Sequence, residues 1–269
     1  MATAIPTISN DLGSDAGYAW IGAAYLLANA IAAPIWTKLS DIWGRKAVLL
    51  IAVALYAGFS IICALAPRMA VLIAGRALQG SAGGGLVQVV YAVIADLFSM
   101  RTRALYLALL QTMWAAAGGL GPLVGGALAE RASWRYIFWI NLPIAAVAFV
   151  VLAVWLDAYN PKTSMREGLR AVDWPGIASL LVFMVALLLG LNFGGTLFPW
   201  PSPVVISLLV GGAVVAAVFV MCEKRARLPL VPLDIFGKIS NVGALIIGFA
   251  HDWVSTAPWP RVPLSLPSC

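Results

Sequence analysis

The amino-acid sequence predicts an all-α membrane protein, and three observations carry that prediction. The 269 residues are 62% hydrophobic and only 10% charged, with a mean hydropathy of +0.95, outside the range of soluble domains of this size. The apolar residues gather in seven runs, each close to the ~20 residues that a helix needs to cross the hydrocarbon core. Cations crowd alternate connections and leave the others nearly bare, as loops on alternate sides of a bilayer do.

The runs read in order as Tyr18 to Trp36, Ala47 to Ala66, Ala70 to Leu97, Ala104 to Leu128, Tyr136 to Leu156, Trp174 to Asn192 and Val204 to Cys222. An eighth starts near Ser240 and loses its apolar character after Phe249. Placing the connection between Trp36 and Ala47 in the cytoplasm puts Lys38, Arg45, Lys46, Arg101, Arg103, Lys162, Arg166, Arg170, Lys224, Arg225, Arg227 and Lys238 on that side. Only Arg68, Arg131 and Arg135 fall outside. This twelve-to-three imbalance sets the expected orientation. The net charge of +6 is therefore read as topology and lipid contact, with no nucleic-acid partner.

Several chemistries are excluded on the same page. Cys63, Cys222 and Cys269 stand alone, without C-x-x-C spacing, and His251 is the single histidine. No metal site, cofactor or disulfide framework is expected. A membrane-embedded enzyme would need an intramembrane constellation of His, Asp, Glu or Cys. None of suitable spacing occurs, so the chain is not read as an enzyme.

Four stretches carry more specific information. Between the first two runs lies Thr37-Lys38-Leu39-Ser40-Asp41-Ile42-Trp43-Gly44-Arg45-Lys46, a short charged loop in which Gly44 permits a tight turn. Asp41 and Arg45 are four apart and can pair on one helical face; the plainer reading is a topogenic loop with a surface ion pair of little worth. The third run places Arg76 about two turns, roughly 9 Å, from its external end, with Gln79 and Gly80 following. A cation there costs about 2.5–3.5 kcal/mol and must face protein or water; it either joins a polar network or snorkels outward. The same run ends in Asp96, which should reach the cytoplasmic surface near Asp41 and Arg45, or serve as an ordinary helix-end charge. The fourth run holds Ala117-Gly118-Gly119-Leu120-Gly121-Pro122-Leu123-Val124-Gly125-Gly126: small residues allow close helix approach in lipid, and Pro122 bends the helix. After it comes Trp134-Arg135-Tyr136-Ile137-Phe138-Trp139-Ile140-Asn141-Leu142-Pro143, an interfacial aromatic belt.

Taken together, these stretches resemble the major facilitator superfamily of transporters. The loop is similar to its G-x-L-x-D-x-x-G-R-K signature, with Thr37 in place of the first Gly. The Arg76 region is similar to L-x-x-x-R-x-x-Q-G, and the Gly-Pro run to G-x-x-x-G-P-x-x-G-G with Ala117 in place of the first Gly. The W-R-x-I-F-x-I-N-L-P stretch, with the segments around Asn192–Trp200 and Glu223–Leu233, resembles the fourteen-span drug:proton antiporter branch in its fungal members. The resemblance implies a cytoplasmic latch of Asp41, Gly44, Arg45, Lys46 and Asp96, and proton coupling through Arg76, Gln79 and Gly80. It also implies an antiporter helix marked by Gly121, Pro122, Gly125 and Gly126. Asn29, Gln88, Gln111 and Trp114 are candidate cavity-lining residues. The implied activity is export of small organic compounds in exchange for protons from a multi-pass site in the plasma membrane.

The resemblance also divides the chain. Residues 1–157 correspond to an N-terminal transporter half lacking most of its first span, 158–173 to a cytoplasmic loop, and 174–222 to an inserted helix pair. Residues 223–239 form a second cytoplasmic loop, and 240–269 a broken ninth span with an aberrant tail. Met1 reads as an internal methionine or a gene-model start. The tail, with Pro258, Pro260, Pro263 and Pro267, reads as a translated intron or frameshift. The alternative to an exporter is accordingly a truncated, transport-inactive fragment of one.

Overall fold

The computed structural model describes residues 4–13, 17–157, 173–195, 197–225, 236–237 and 239–256. Within them the chain forms ten helices: α1 (Ile5–Leu12), α2 (Gly17–Trp43), α3 (Arg45–Ala64), α4 (Met69–Leu97), α5 (Met100–Arg131), α6 (Tyr136–Trp139), α7 (Asn141–Trp155), α8 (Trp174–Phe193), α9 (Pro203–Arg225) and α10 (Ile239–Thr256). Extended pairing among the described residues is limited to an isolated bridge between Gly194 and Phe198. Seven segments, the α6–α7 pair counting as one, are long and apolar enough to cross a membrane. This is an all-α, multi-pass membrane architecture.

The connection expected as a loop from Thr37 to Lys46 is almost entirely helical. α2 runs through Asp41 to Trp43, and α3 starts at Arg45. Gly44 alone separates them, at φ 89° and ψ 145°, a conformation that costs a side chain strain. The helical ladder runs up to this joint and restarts from it. The Gly44 amide donates to the Ser40 carbonyl at 3.1 Å, and the Gly44 carbonyl accepts from the Val48 amide at 3.3 Å. In a membrane an unpaired backbone group is expensive, so a one-residue turn wastes fewer than a loop would.

The tightest crossing joins α2 and α4. Gly80, Gly83, Gly84 and Gly85 are all buried on it. A Cβ at Gly80 would fall on the Tyr25 carbonyl, and one at Gly84 on the Asn29 carbonyl. One at Gly85 would come within 2.6 Å of the Trp36 ring, while the Trp36 indole Nε1 donates to the Ser81 carbonyl at 2.8 Å. Small residues at i and i+4 let two backbones approach in a solvent that offers no hydrophobic drive to associate. At the end remote from Gly44, α1 closes the bundle: Ala4 and Ile8 pack with Ile21, Leu72, Trp134 and Phe138 in one buried cluster. A second cluster, nearer Gly44, joins Val48 and Leu49 to Val89 and Val93.

The hairpin α8–α9 leans on α2 at two heights, through Ile177 against Ile42 and through Phe193 edge-on to Trp20 at 5.9 Å. Asp173 caps α8 by accepting from the Gly176 amide at 3.1 Å, one of the free donors of a helix start. By contrast, α5 stands largely clear of its neighbours. Every residue from 111 to 120 is exposed, and a Cβ at Gly118, Gly119 or Gly121 would meet nothing within 4 Å. The last described helix, α10, continues to Thr256, and its apolar part, Ile239–Ala250, is short for a span and stops about where the apolar run of the sequence does. The proline-rich tail lies outside the described residues.

The two kinds of glycine separate in stability. Gly84→Val sets a side chain against backbone, which cannot yield as a side chain would, and should cost about 1–3 kcal/mol. Gly118→Val enters open space and should cost little within this chain. Denaturation midpoints of the purified protein in detergent measure both; equal losses would contradict the close α2–α4 crossing.

Candidate functional site

The sequence-predicted polar residues gather at the two ends of α4. At the Gly44 end, Arg45 is the hub. Its Nη1 lies 2.5 Å from Asp41 Oδ1, across the one-residue joint, and its Nε donates to Asp96 Oδ2 at 2.9 Å. Nη1 also donates to Ser40 Oγ at 2.5 Å, and that hydroxyl donates to the Thr37 carbonyl at 2.7 Å. Asp41, Arg45 and Asp96 therefore meet, with Lys46 next in the first turn of α3. Asp41 and Asp96 keep 45% and 48% of their side-chain surface, whereas Arg45 keeps 16%. Each contact is hence worth no more than about 1 kcal/mol. Ser40, at 1% exposure, is a member the sequence analysis missed. Nearby, Arg103 Nη2 donates to the Ala95 carbonyl and ties the start of α5 to the end of α4.

Farther along α4, Arg76 does not snorkel. It is 8% exposed, with Nε donating to the Ile21 carbonyl at 3.3 Å and Nη1 to Gln79 Oε1 at 2.5 Å. Gln79 Nε2 donates to Ser60 Oγ at 2.7 Å, and Ser60 Oγ to the Tyr56 carbonyl at 2.8 Å. Gln79 and Ser60 are fully buried, so a network joins α2, α3 and α4. Gly80 sits under the Tyr25 carbonyl and brings α4 close enough for this network to form.

Other expected site residues do not converge. Asn29 packs against Gly83 and Gly84. Gln88 and Gln111 lie on exposed faces. Trp114 is 58% exposed and lines a shallow 220 Å³ cavity with Leu110 and Tyr91. A larger 410 Å³ cavity lies between α3, α4 and α7, with Tyr56 and Asn141 as its polar groups. In α5, Gly125 is buried and Gly126 half-buried, while Pro122 is exposed.

The sequence analysis also passed over Asp11, at the end of α1. Its Oδ2 accepts from the Trp134 indole Nε1 at 2.9 Å and lies 3.6 Å from Arg135 Nη1. Arg135 stacks over the Trp134 ring at 4.4 Å and donates to the Ala66 carbonyl at 3.4 Å. The Trp-Arg pair read as an interfacial belt thus fastens α1 to the α3–α4 turn and the α5–α6 connection. The missed signal was an aspartate three residues beyond the apolar face of Ile8.

These features, a glycine-backed helix crossing flanked by an Arg-Gln network and an Asp-Arg-Asp cluster, sit in a multi-pass all-α bundle of the transporter class. The family model of the Major Facilitator Superfamily matches residues 1–221, and the chain belongs to that superfamily. It is 46% identical over 265 residues to the efflux pump dotC of Dothistroma septosporum, covering 98% of this chain and 45% of that protein. It is 40% identical over 268 residues to the MFS-type transporter ppz2 of Metarhizium majus, covering 98% of this chain and 46% of that protein. To the MFS-type efflux pump LUC4 of Fusarium sp it is 38% identical over 255 residues, covering 94% and 45% respectively. The chain spans about half the length of the curated relatives it matches.

Two expectations follow for the clusters at the bundle ends. In a double-mutant cycle of Arg45→Gln with Asp96→Asn, denaturation should return a coupling of about 0.5–1 kcal/mol, and no coupling would mean the pair is not formed. Asp11→Ala should cost more than Asp11→Asn, by about 1 kcal/mol, because only alanine leaves the buried Trp134 donor without an acceptor. Melting midpoints of the two variants check the order.

Proposed function

We propose that this chain provides the export machinery of a proton-coupled efflux transporter for small, mostly apolar organic compounds. The buried Arg76–Gln79–Ser60 network carries this reading. A guanidinium held inside an apolar bundle is costly, and intramembrane ionisable groups mark ion or substrate pathways. Membership of the superfamily and similarity to named fungal efflux pumps support export as the direction. The Gly121-Pro122 helix supports antiport over other coupling modes, and the open faces of α5 give it room to meet other helices in the alternating cycle.

In this reading the basic end of the bundle faces the cytoplasm, as the cation count favours, and the plasma membrane is its site. The Asp41–Arg45–Asp96 cluster holds the cytoplasmic ends of α2, α3 and α4 in one state of the transporter. Arg76 couples proton movement to substrate release through its hydrogen bonds rather than through a paired carboxylate. Substrate selection rests with cavity residues, for which Asn29, Gln88, Gln111 and Trp114 stand as candidates alongside Tyr56 and Asn141.

Purified protein in proteoliposomes tests this directly. With the interior of the vesicle matched to the cytoplasmic face and the outside made acidic, a lipophilic fluorescent cation should leave the vesicle as protons enter. Arg76→Gln should slow that movement at least ~10-fold, about 1.4 kcal/mol in barrier terms, with helix content unchanged. Flux indifferent to the pH difference overturns antiport. Absence of flux for every compound and gradient tried overturns transport by this chain and favours the inactive-fragment reading. Topology is checked separately: a cysteine at Lys46 and one at Arg135 should react with an impermeant maleimide from opposite sides.

A further inference from the structure

Arg76 is a full cation buried at the α2–α4 crossing, yet it enters no ion pair among the described residues. The titratable side chains near it are Tyr25, Cys63 and Tyr56, none of them a carboxylate. Its hydrogen bonds end on the Ile21 carbonyl and the Gln79 amide oxygen, both neutral. Among the described residues an aromatic face also supplies negative potential: Arg76 Cζ lies 4.2 Å from the centroid of the Tyr25 ring. Rings attract cations through the negative face of their quadrupole, most strongly where water is excluded.

The placement is built rather than incidental. Ile21 and Tyr25 are one helical turn apart on α2, so the carbonyl that accepts from Arg76 and the ring beneath it come from the same face. Tyr25 is itself held by glycines of α4. Its carbonyl occupies the space a Cβ at Gly80 would fill, and a Cβ at Gly83 would come within 2.6 Å of its hydroxyl. The α2–α4 crossing therefore fixes the backbone of Tyr25 and one edge of its ring.

We infer that Tyr25 is the positioning residue for Arg76: the face of its ring, in place of a carboxylate, seats the guanidinium and aims it at Gln79 and Ser60. Such a seat offers the guanidinium a ring quadrupole rather than the full charge of a carboxylate. It also leaves the guanidinium free to be drawn away by a carboxylate that enters the pathway. The functional half of this inference rests on the coupling role proposed for Arg76; the contact itself does not.

The test replaces Tyr25 in the full chain with phenylalanine and with mono-, di- and trifluorinated phenylalanines, with and without Arg76→Met. Fluorines withdraw the ring's negative potential in steps while changing its shape little. Tyr25→Phe should melt close to the unsubstituted protein, and the midpoint should then fall with each fluorine. The steps should vanish when Arg76 is methionine. Equal steps in both backgrounds, or no steps, overturn the inference, since the ring would then act by packing alone. In proteoliposomes the midpoint of the flux–pH profile should shift along the same series, and a profile that stays fixed while the melting steps persist overturns the positioning role. If the unsubstituted chain shows no proton-driven flux, the coupling reading fails. The melting cycle then still decides whether Tyr25 seats Arg76.

Discussion

The close crossing of α2 and α4 is the constraint on which the rest of the bundle depends. Between two helices in lipid there is no water to expel, so association draws on packing and hydrogen bonds. Gly80 and Gly84 let the backbones touch where the Tyr25 and Asn29 carbonyls would otherwise meet side chains. That proximity brings Arg76 within reach of the Ile21 carbonyl and the Tyr25 ring. Without those glycines Arg76 would lose its partners on α2. The costly intramembrane cation is thus affordable because of residues with no functional groups at all.

Much of this was legible in the chain. Composition and run length identified the spans because a bilayer imposes a length on any helix that crosses it. The meeting of Asp41, Arg45 and Asp96 could be anticipated because every second turn returns the chain to the same surface. Arg76 and Gln79 were legible as a pair because three residues place side chains on one helical face. The fine geometry was not. Thr37 to Trp43 looked like a loop because it is polar, yet a helix emerging from a membrane stays helical while its side chains turn polar. Gly44 alone supplies the turn.

Pairing between helices was harder to read, for a physical reason. In water a helix reveals its packed face by hydrophobic periodicity. In lipid both faces are apolar, so α5 and α4 look alike in sequence although one is open from 111 to 120 and the other is buried along its length. The glycine run of α5 was read as a packing face, and so was that of α4; the α4 run packs on α2, whereas Gly118, Gly119 and Gly121 of α5 meet nothing within 4 Å among the described residues. Asp11 escaped notice for the complementary reason. A single acidic residue at a helix end carries no pattern, and its role appears only when Trp134, 123 positions away, closes on it.

The two polar clusters differ in what they can do, and burial decides which. Asp41 and Asp96 each keep nearly half of their surface, so water competes for their contacts with Arg45 and the cluster can open at modest cost. It has the energetics of a clasp. Arg76 has no such freedom: removing it from Ile21, Gln79 and Tyr25 without a replacement would leave an unsolvated charge in an apolar bundle. It can leave only by exchange, when another group takes over its bonds as they break. A conformational change that reaches Arg76 must therefore bring a new partner to it, whereas one that reaches Arg45 need only admit water. Of the two clusters, the buried one is therefore the one whose rearrangement is conditional on what arrives.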